Sequence, residues 1–302
     1  MHDVIVVGGG PAGMTAALYA LRNGKTALVI EREGFGGQIT HSPKVENYPG
    51  TLQMSGNEFA ERLLDQILAQ GAEIEFENVI KVERNESTLI VRTEEGSTFE
   101  GKAVILATGA SHRMLGLPGE QELVGEGVSY CAICDGDFYA GKDVCVVGGG
   151  NSALQEAVLL SDICKTVTIL QDMPFLTGEQ KLQDVLAKKE NVRVICGVTV
   201  TALNQSEGVL TGVGIRSRDS GAEETVPCDG VFVAIGLVPH NEAFTDVAEL
   251  DAAGYFDTDE RCLSRTPGIY VAGDCRRKGI RQLATAIADG ACAAMAACRN
   301  MD

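Results

Sequence analysis

The sequence has few basic residues and no long hydrophobic segment. Its 302 residues include 25 Lys and Arg against 42 Asp and Glu, which gives a formal charge of −17. The longest basic cluster is Arg276-Arg277-Lys278, so a nucleic-acid partner is not expected. No apolar run approaches the roughly 18 residues that span a bilayer, and the strand-like segment Val4 to Val7 leaves no room for a signal peptide. These absences predict a soluble, cytoplasmic protein without a membrane partner.

Paired metal ligands are also missing. The four histidines are scattered along the chain, and Cys131 and Cys134 form the only close cysteine pair. Because a zinc site needs four ligands, the sequence predicts no metal site. The other cysteines have irregular spacings in apolar or Ala-rich surroundings, and we predict that they are small buried side chains: Cys145, Cys164, Cys196, Cys228, Cys262, Cys275, Cys292 and Cys298.

The close pair lies in the segment Cys131-Ala132-Ile133-Cys134-Asp135. Two neighbouring thiols can hold two electrons as a disulfide, and a redox-cycling pair is favoured over a structural disulfide in a reducing compartment. Asp135 is placed either to cap the following turn or to act as a general acid for the departing thiolate. The residues alone leave both roles open.

Two similar blocks, Val4 to Gly13 and Val144 to Ala153, each join a β-rich run to a Gly-rich turn and a helix-forming segment. We predict helices from Met14 to Asn23 and from Leu154 to Ser161, each followed by a further strand, so both blocks are predicted βαβ units. The alternation of strands and helices predicts an α/β protein with two Rossmann-like (three-layer) dinucleotide-binding domains. Further helices are predicted over 56–70, 179–188 and 282–298, and strands over 192–196, 209–216, 231–235 and 269–272.

The first Gly-rich turn has the context of a dinucleotide-binding fingerprint. Gly8, Gly10 and Gly13 would allow a tight turn, close approach of a pyrophosphate, and close packing of helix on strand. Glu31 ends the next predicted strand, where its carboxylate can bind a ribose. A lone Gly-rich turn without a ligand is the alternative, and the surrounding strand, helix and acid make it less favoured.

The second turn, with Gly148, Gly150 and Ala153, has the same pattern. The position equivalent to Glu31 is Gln171, followed by Asp172, and no Arg or Lys occurs between residues 165 and 181. A cofactor with a 2′-phosphate usually needs a cation there. The sequence therefore favours NADH over NADPH.

The chain resembles the low-molecular-weight thioredoxin reductases over nearly its whole length. The motifs that carry the resemblance are Gly8 to Gly13, Gly36-Gly37-Gln38, Glu46 to Gly50, Ala107-Thr108-Gly109, Cys131 to Asp135, Gly148 to Ala153, Ala272-Gly273-Asp274 and Arg281-Gln282. The resemblance implies an FAD-binding domain split between residues 1–113 and 242–302. It also implies an inserted NAD(P)H-binding domain, residues 114–241, that carries the redox cysteines.

Cofactor-binding residues follow from the resemblance. Those implied for FAD are Gly8, Gly10, Pro11, Ala12, Gly13, Glu31, Gly37, Gln38, Asn47, Thr108, Gly109, Gly273, Asp274, Arg281 and Gln282; those implied for the nucleotide are Gly148, Gly150, Asn151, Ser152, Ala153 and Gln171. Among them, Gln282 is expected to face the isoalloxazine ring and Asp274 the ribityl or pyrophosphate region.

The resemblance also implies a role for each redox residue. Cys134 would lie nearer the flavin, Cys131 would attack the partner disulfide, and Asp135 would be the proton donor. Thioredoxin or a similar protein would be the partner, and a homodimer is expected. One segment departs from the pattern, because NADPH-dependent members carry a His-Arg-Arg run where this chain has Leu170-Gln171-Asp172. The alternatives are a ferredoxin-dependent reductase, a small-molecule dithiol oxidase, and a flavin-binding protein with incidental cysteines.

Overall fold

A computed structural model of the chain describes residues 1–42, 45–85 and 88–301. The chain divides into two compact units. The first contains residues 1–111 and the segment from 238 to the C-terminus, and the second contains residues 112–237. The boundaries expected from the sequence, 113/114 and 241/242, fall a few residues from these positions.

The helices and strands have the following bounds, in chain order. The chain begins with β1 (His2–Val7), α1 (Pro11–Arg22), β2 (Ala27–Glu31), α2 (Gly56–Ala69), β3 (Glu73–Phe76), β4 (Val79–Asn85), β5 (Thr88–Thr93) and β6 (Thr98–Leu106). It continues with β7 (Ala110–His112), β8 (Val128–Ser129), α3 (Ala132–Asp135), β9 (Asp143–Val147), α4 (Asn151–Ser161), β10 (Thr166–Gln171), α5 (Gln180–Leu186), β11 (Val192–Cys196), β12 (Val198–Ser206), β13 (Val209–Ser217), β14 (Glu223–Pro227), β15 (Gly230–Val233) and β16 (Leu237–Pro239). It ends with β17 (Ile269–Val271) and α6 (Leu283–Arg299).

The first unit is built on a sheet in the order β3-β2-β1-β6-β5-β4, with β17 also paired to β6. The long strand β6 changes partner along its length: its first half pairs antiparallel with β5, and its second half pairs parallel with β17. Alternate residues of β1 pack into two different hydrophobic clusters, Val4 and Val6 into one, Ile5 and Val7 into the other. Both faces of the sheet are therefore buried, as expected of a parallel α/β sheet.

The second unit has a five-stranded parallel sheet in the order β11-β10-β9-β15-β8 and a separate antiparallel sheet, β12-β13-β14. As in the first unit, neighbouring residues of the central strand, Cys145 and Val146, pack into clusters on opposite faces. The predicted α/β class with two Rossmann-like units is confirmed. Among the described residues, no helix is both long and apolar enough to cross a membrane.

The structure corrects several sequence-based expectations. Helices α1 and α4 begin three residues earlier than predicted, at Pro11 and Asn151, because the preceding glycines are already in the extended conformation of an N-cap. The strands β12 and β14 were not predicted. The prediction that all the other cysteines are buried is wrong for Cys292, which is exposed, and for Cys196, which is partly exposed.

Candidate redox and nucleotide sites

The first Gly-rich turn is tight enough that only glycine fits at two of its positions. Gly8 has φ +107°, and a Cβ there would lie 2.3 Å from the carbonyl oxygen of Ala107. A Cβ at Gly13 would lie 1.9 Å from the carbonyl oxygen of Gly8. The two glycines thus let α1 and β6 approach the end of β1, which forms the base of the predicted dinucleotide site.

The start of α1 is open to a ligand. Its N-cap, Gly10, supplies no side-chain acceptor, and Pro11 occupies the first turn, where a missing N–H costs nothing. Among the described residues, a Cβ at Gly10 would have only one heavy atom within 4 Å, the carbonyl oxygen of Gly36 at 4.0 Å. Beside this space the Glu31 carboxylate accepts a hydrogen bond of 2.6 Å from Gly9 N. Free N–H groups, a helix dipole and a nearby acid together suit a pyrophosphate joined to a ribose.

The remaining residues predicted for the first site come from distant parts of the chain. Gly36 N donates to Gly9 O at 2.9 Å, which brings the short 3₁₀ helix Gly37–His41, with exposed Gln38, beside the Gly-rich turn. Asn47 Nδ2 donates to Gln282 Oε1 at 3.1 Å although 235 residues separate them. Ala12 lies against α6, because a Cβ on Gly290 would reach within 2.2 Å of the Ala12 carbonyl oxygen.

Thr108 and Gly109 follow the carboxyl end of β6, and Thr108 is held by a residue that the sequence did not single out. The Thr108 hydroxyl donates to Asn241 Oδ1 at 2.7 Å. Asn241 is fully buried, and its Nδ2 donates to the carbonyl oxygens of Gly254 and Cys275. Gly109 has φ +68° and open space around its Cβ position. An amide that joins three loops gives no local sequence signal, so Asn241 could not have been found from its neighbours.

Asp274 lies at the end of β17 among cations. Lys278 Nζ is 3.1 Å from Asp274 Oδ1, and Arg281 Nε donates to the Asp274 carbonyl oxygen at 3.1 Å. Burial raises the pKa of the Asp274 carboxyl group, and the charges of Lys278 and Arg281 oppose that rise. Gly273, with φ +84°, donates its N–H to Asp289 in α6. These contacts place Gly273, Asp274 and Arg281 in one network.

The second Gly-rich turn repeats the first with a different covering segment. Gly148 has φ +129°, and its Cβ would lie 2.4 Å from the carbonyl oxygen of Ala234. A Cβ on Gly149 would lie 2.5 Å from Gln171 Cδ, so the buried Gln171 side chain packs beneath the turn. Thr177 N and Gly178 N each donate to Gly149 O at 2.8 Å. These two N–H groups bind the carbonyl oxygen of Gly149 as the N–H of Gly36 binds that of Gly9 in the first turn.

The helix α4 begins directly at this second turn, with Gly150 as an N-cap that supplies no side-chain acceptor. Asn151 and Ser152 are exposed in its first turn, and Ala153 is buried beneath it. Asn151 Oδ1 accepts a hydrogen bond of 2.7 Å from Glu179 N. The start of α4, like that of α1, therefore has a glycine N-cap without a side-chain acceptor, an arrangement that suits a bound phosphate.

A cation that the sequence did not predict reaches the end of β10. Arg218 Nη1 is 3.2 Å from Asp172 Oδ2 and also donates to the Asp172 carbonyl oxygen. Both side chains are exposed. Arg218 follows β13, far along the chain from Gln171 and Asp172. Only the tertiary fold brings this arginine next to the segment where NADPH-dependent members of the resembled family carry theirs.

Cys131 and Cys134 form a disulfide, with their Cα atoms 5.3 Å apart. Cys131 is the N-cap of the short helix α3, and its Sγ accepts a hydrogen bond of 3.2 Å from Cys134 N. Asp135 Oδ2 accepts a hydrogen bond of 2.6 Å from the Ser129 hydroxyl, while Oδ1 is inaccessible to solvent and has no hydrogen-bond partner among the described residues. Burial raises the pKa of Asp135, and the Ser129 hydrogen bond opposes the rise.

A further acid, Glu156 in α4, lies beside the same disulfide and was not predicted. Burial raises the pKa of its carboxyl group to about 8, and the nearby backbone N–H of Ala132 opposes the rise. Glu156 lies just after the Gly-rich turn, and no local sequence pattern indicates that its helix contacts α3. Among the described residues no group of three or more His, Cys, Asp or Glu is placed to hold a metal ion.

Comparison with known proteins identifies the family. A family model described as pyridine nucleotide-disulphide oxidoreductase matches residues 2–290. The chain belongs to this family. The thioredoxin reductase of Listeria monocytogenes is 42% identical over 290 residues, which cover 96% of this chain and 91% of that protein. The thioredoxin reductase of Treponema pallidum is 40% identical over 302 residues, which cover 100% and 97%.

Solved structures agree with this assignment. The thioredoxin reductase of Streptococcus pyogenes superposes with a TM-score of 0.93 at 36% identity, covering 100% of this chain and 98% of that one. The enzyme of Giardia duodenalis gives a TM-score of 0.92 at 28% identity, covering 99% and 98%. Within the oxidoreductase family the chain is thus a member of the thioredoxin reductase group, a flavoprotein with a redox-active disulfide.

The family implies FAD and a pyridine nucleotide, and the residues of the two turns fit such cofactors. At the helix start each turn has a glycine whose Cβ position is crowded by no described atom closer than 3.8 Å: the nearest is the Gly36 carbonyl oxygen at 4.0 Å for Gly10 and Thr177 Oγ1 at 3.8 Å for Gly150. In the first unit Glu31 is placed to accept from a ribose, and in the second the equivalent side chain is the amide of Gln171. The two turns can therefore each bind a dinucleotide, with a carboxylate at the ribose position of the first and an uncharged amide at that of the second.

Proposed function

We propose that this enzyme passes electrons from NADH through FAD and the Cys131–Cys134 disulfide to the disulfide of thioredoxin or a similar protein. The observation that carries the proposal is a disulfide beside Asp135, a half-buried carboxyl group with one inaccessible oxygen that has no partner among the described residues, in a member of this oxidoreductase family. Thioredoxin as the partner is supported by the relatives named thioredoxin reductase.

FAD would be held in the first unit. Gly8, Gly10, Pro11, Ala12 and Gly13 would bind the pyrophosphate and Glu31 the adenosine ribose, with Gly37, Gln38, Asn47, Thr108, Gly109, Gly273, Asp274, Arg281 and Gln282 along the rest of the cofactor. When bound, FAD supplies a carrier that accepts a hydride and releases an electron pair. The contact between Asn47 and Gln282 would orient both amides at the flavin end.

The nicotinamide nucleotide would be bound by Gly148, Gly150, Asn151, Ser152, Ala153 and Gln171. NADH is favoured because Arg218, a cation at the end of β10, is already paired with Asp172. A 2′-phosphate would have to separate this pair and approach the Asp172 carboxylate, which a ribose with a free 2′-hydroxyl avoids.

The two sulfurs would have separate tasks. Two electrons break the S–S bond, Cys134 takes one proton from Asp135, and Cys131 keeps the negative charge as a thiolate. That thiolate attacks a sulfur of the partner disulfide and forms a mixed disulfide, as the partner's second sulfur leaves as a thiolate. Cys134, after returning its proton to Asp135, attacks Cys131, which restores the original disulfide and releases the reduced partner.

Anaerobic titration of the yellow holoenzyme with NADH, NADPH and reduced ferredoxin tests the electron donor. We expect NADH to bleach the flavin at the lowest concentration. Bleaching by NADPH at far lower concentration than NADH would contradict the proposed role of Gln171 and Asp172. If only reduced ferredoxin bleached the flavin, the electron donor would be ferredoxin and not a nucleotide.

Covalent trapping tests the partner. A Cys134→Ser variant retains the attacking sulfur and should accumulate a mixed disulfide between Cys131 and thioredoxin, visible as a shift on non-reducing gels. The matched Cys131→Ser variant should give no adduct through Cys134. Equal adducts from both variants would contradict the assignment of the sulfurs. The homodimer expected from the resemblance is likewise a proposal, which sedimentation equilibrium of the holoenzyme would test.

A further inference from the structure

Glu156 contributes a second carboxyl group to the surroundings of the disulfide, and the chemistry proposed above does not use it. The carboxyl group lies near the backbone N–H of Ala132, the residue that follows Cys131, and this N–H lowers its pKa. Its Oε2 is inaccessible to solvent and has no hydrogen-bond partner in the described part of the chain. Asp135 Oδ1 is in the same situation. The disulfide is therefore flanked by two carboxyl groups, each with one inaccessible, unpaired oxygen.

An inaccessible carboxyl oxygen without a donor is best accommodated as the protonated acid, because ionisation would bury an unsolvated charge. Consistent with this, burial raises the pKa of Glu156 to about 8, although the nearby N–H of Ala132 opposes the rise. At neutral pH the group is thus largely uncharged, and it becomes a carboxylate only in alkaline solution.

The charges that face α4 come from the elements packed against it, α3, α5, β9 and β10. Their titratable residues are Cys131, Cys134 and Asp135 at α3, Lys181 and Asp184 in α5, and Asp143 and Cys145 in β9, with Tyr139 and the exposed Asp137 in the turn after α3 and none in β10. The α5 charges are exposed, Asp143 is paired with Lys165, and Cys145 packs into the cluster on the other face of the sheet. Burial raises the pKa of Tyr139 to about 12. The sulfurs and Asp135 are therefore the groups whose charge Glu156 affects most.

Reduction of the disulfide to one thiol and one thiolate adds two electrons and one proton, and it leaves a negative charge on Cys131. A carboxylate beside the next backbone N–H would oppose that charge. We propose that Glu156 is a positioning residue of the redox site, whose uncharged carboxyl group fixes the turn after Cys131 and allows that sulfur to carry the negative charge. This inference rests on the proposed function, since it assumes that Cys131 is the attacking thiolate.

The test measures the reactivity of Cys131 itself. In holoenzyme of the Cys134→Ser background, the rate of Cys131 alkylation by iodoacetamide is followed by mass spectrometry as a function of pH. Glu156→Gln keeps an oxygen near the Ala132 N–H but never ionises. We expect equal rates with and without this change near pH 6, and a rate about three- to tenfold higher in the Gln variant near pH 9, from the Coulomb energy of one removed charge.

Two further variants make the test decisive. Asp137→Asn removes an exposed carboxylate two residues after Asp135 and should leave the pH profile unchanged. Glu156→Met also never ionises, so it should lack the alkaline suppression even if loss of the oxygen near the Ala132 N–H lowers its rate by a constant factor. Identical pH profiles for the parent and both Glu156 variants would overturn the inference. Failure of the enzyme to reduce thioredoxin would overturn the proposed function instead, and the alkylation profile would not depend on it.

Discussion

At the scale of single residues, the Ser129 hydroxyl controls the protonation of Asp135. It donates to the Asp135 carboxylate at 2.6 Å and accepts from Cys131 N at 3.1 Å, so it favours the ionised acid that burial disfavours. In the proposed mechanism Asp135 donates a proton and must be protonated to act, so activity should fall as pH rises through its raised pKa. Ser129→Ala should raise that pKa further and extend activity to higher pH.

The measurement is the pH dependence of thioredoxin reduction at saturating NADH. Ser129→Thr keeps the hydroxyl and should behave like the parent. Asp135→Asn should lower the rate about 10²–10⁴-fold, the usual contribution of general acid catalysis, while nucleotide still bleaches the flavin. An alkaline limb that moves to lower pH in Ser129→Ala would contradict this account of Asp135.

Asp289 compensates two buried cations in the first unit. Its oxygens lie 2.6 Å from Arg276 Nη1 and 3.0 Å from Lys278 Nζ, and only 2% of the Arg276 side chain is exposed. Asp289→Ala would remove the closest carboxylate from the buried Arg276 and one of the two carboxylates that contact Lys278, and we expect it to lower the free energy of unfolding by about 3–5 kcal/mol. Urea unfolding of the holoenzyme measures this.

The control is Asp257→Asn, which breaks a pair with Arg277 whose side chains are 43% and 63% exposed. An exposed pair of this kind contributes about 0–1 kcal/mol. If both variants lost the same small amount of stability, the buried contacts of Asp289 would contribute no more to the free energy of unfolding than an exposed ion pair does.

At the scale of elements, the contact between α1 and α6 depends on one glycine. A Cβ on Gly290, in the middle of α6, would lie 2.2 Å from the carbonyl oxygen of Ala12 and 3.1 Å from Thr15 Cβ. Alanine favours an isolated helix over glycine by about 1 kcal/mol, so any destabilisation must come from this contact. We expect Gly290→Ala to lower the melting temperature and weaken retention of FAD, because Ala12 belongs to the proposed cofactor turn.

Gly279→Ala is the matched control, since a Cβ there meets no heavy atom of the described residues within 4 Å and its φ is not in the left-handed region. It should leave both measurements unchanged. A Gly290→Ala protein as stable as the parent, with its flavin retained, would show that α6 can move away from α1 without consequence.

The elements that could be predicted are those whose signal is local. A β-rich run, a Gly-rich turn and a helix segment lie within about 30 residues of each other, which is why both βαβ units and the Cys131 pair were found. Strands β12 and β14 were missed because antiparallel strands paired across turns carry a weak pattern. Arg218, Asn241 and Glu156 were missed for a different reason, since each reaches its site through tertiary packing that no local spacing encodes.

At the scale of the whole molecule, the charge of −17 should affect the relative affinity of the protein for NADH and NADPH. NADPH carries an additional phosphate, so the long-range field of the protein repels it more strongly than NADH. Electrostatic screening acts over about 30 Å at 0.01 M salt and about 10 Å at 0.1 M. The apparent affinity for NADPH relative to NADH should therefore rise as salt is increased over this range.

A local variant separates this field effect from selection at the site. Asp172→Arg replaces a negative charge beside Arg218 with a positive one. The variant should favour NADPH at every salt concentration, because the new contact with a 2′-phosphate is short and only partly screened. In the parent protein, by contrast, a preference for NADH that remains at high salt must come from the short-range contacts at Gln171 and Asp172. If the parent's preference vanished entirely once the field was screened, net charge rather than the segment after β10 would be the source of the selectivity.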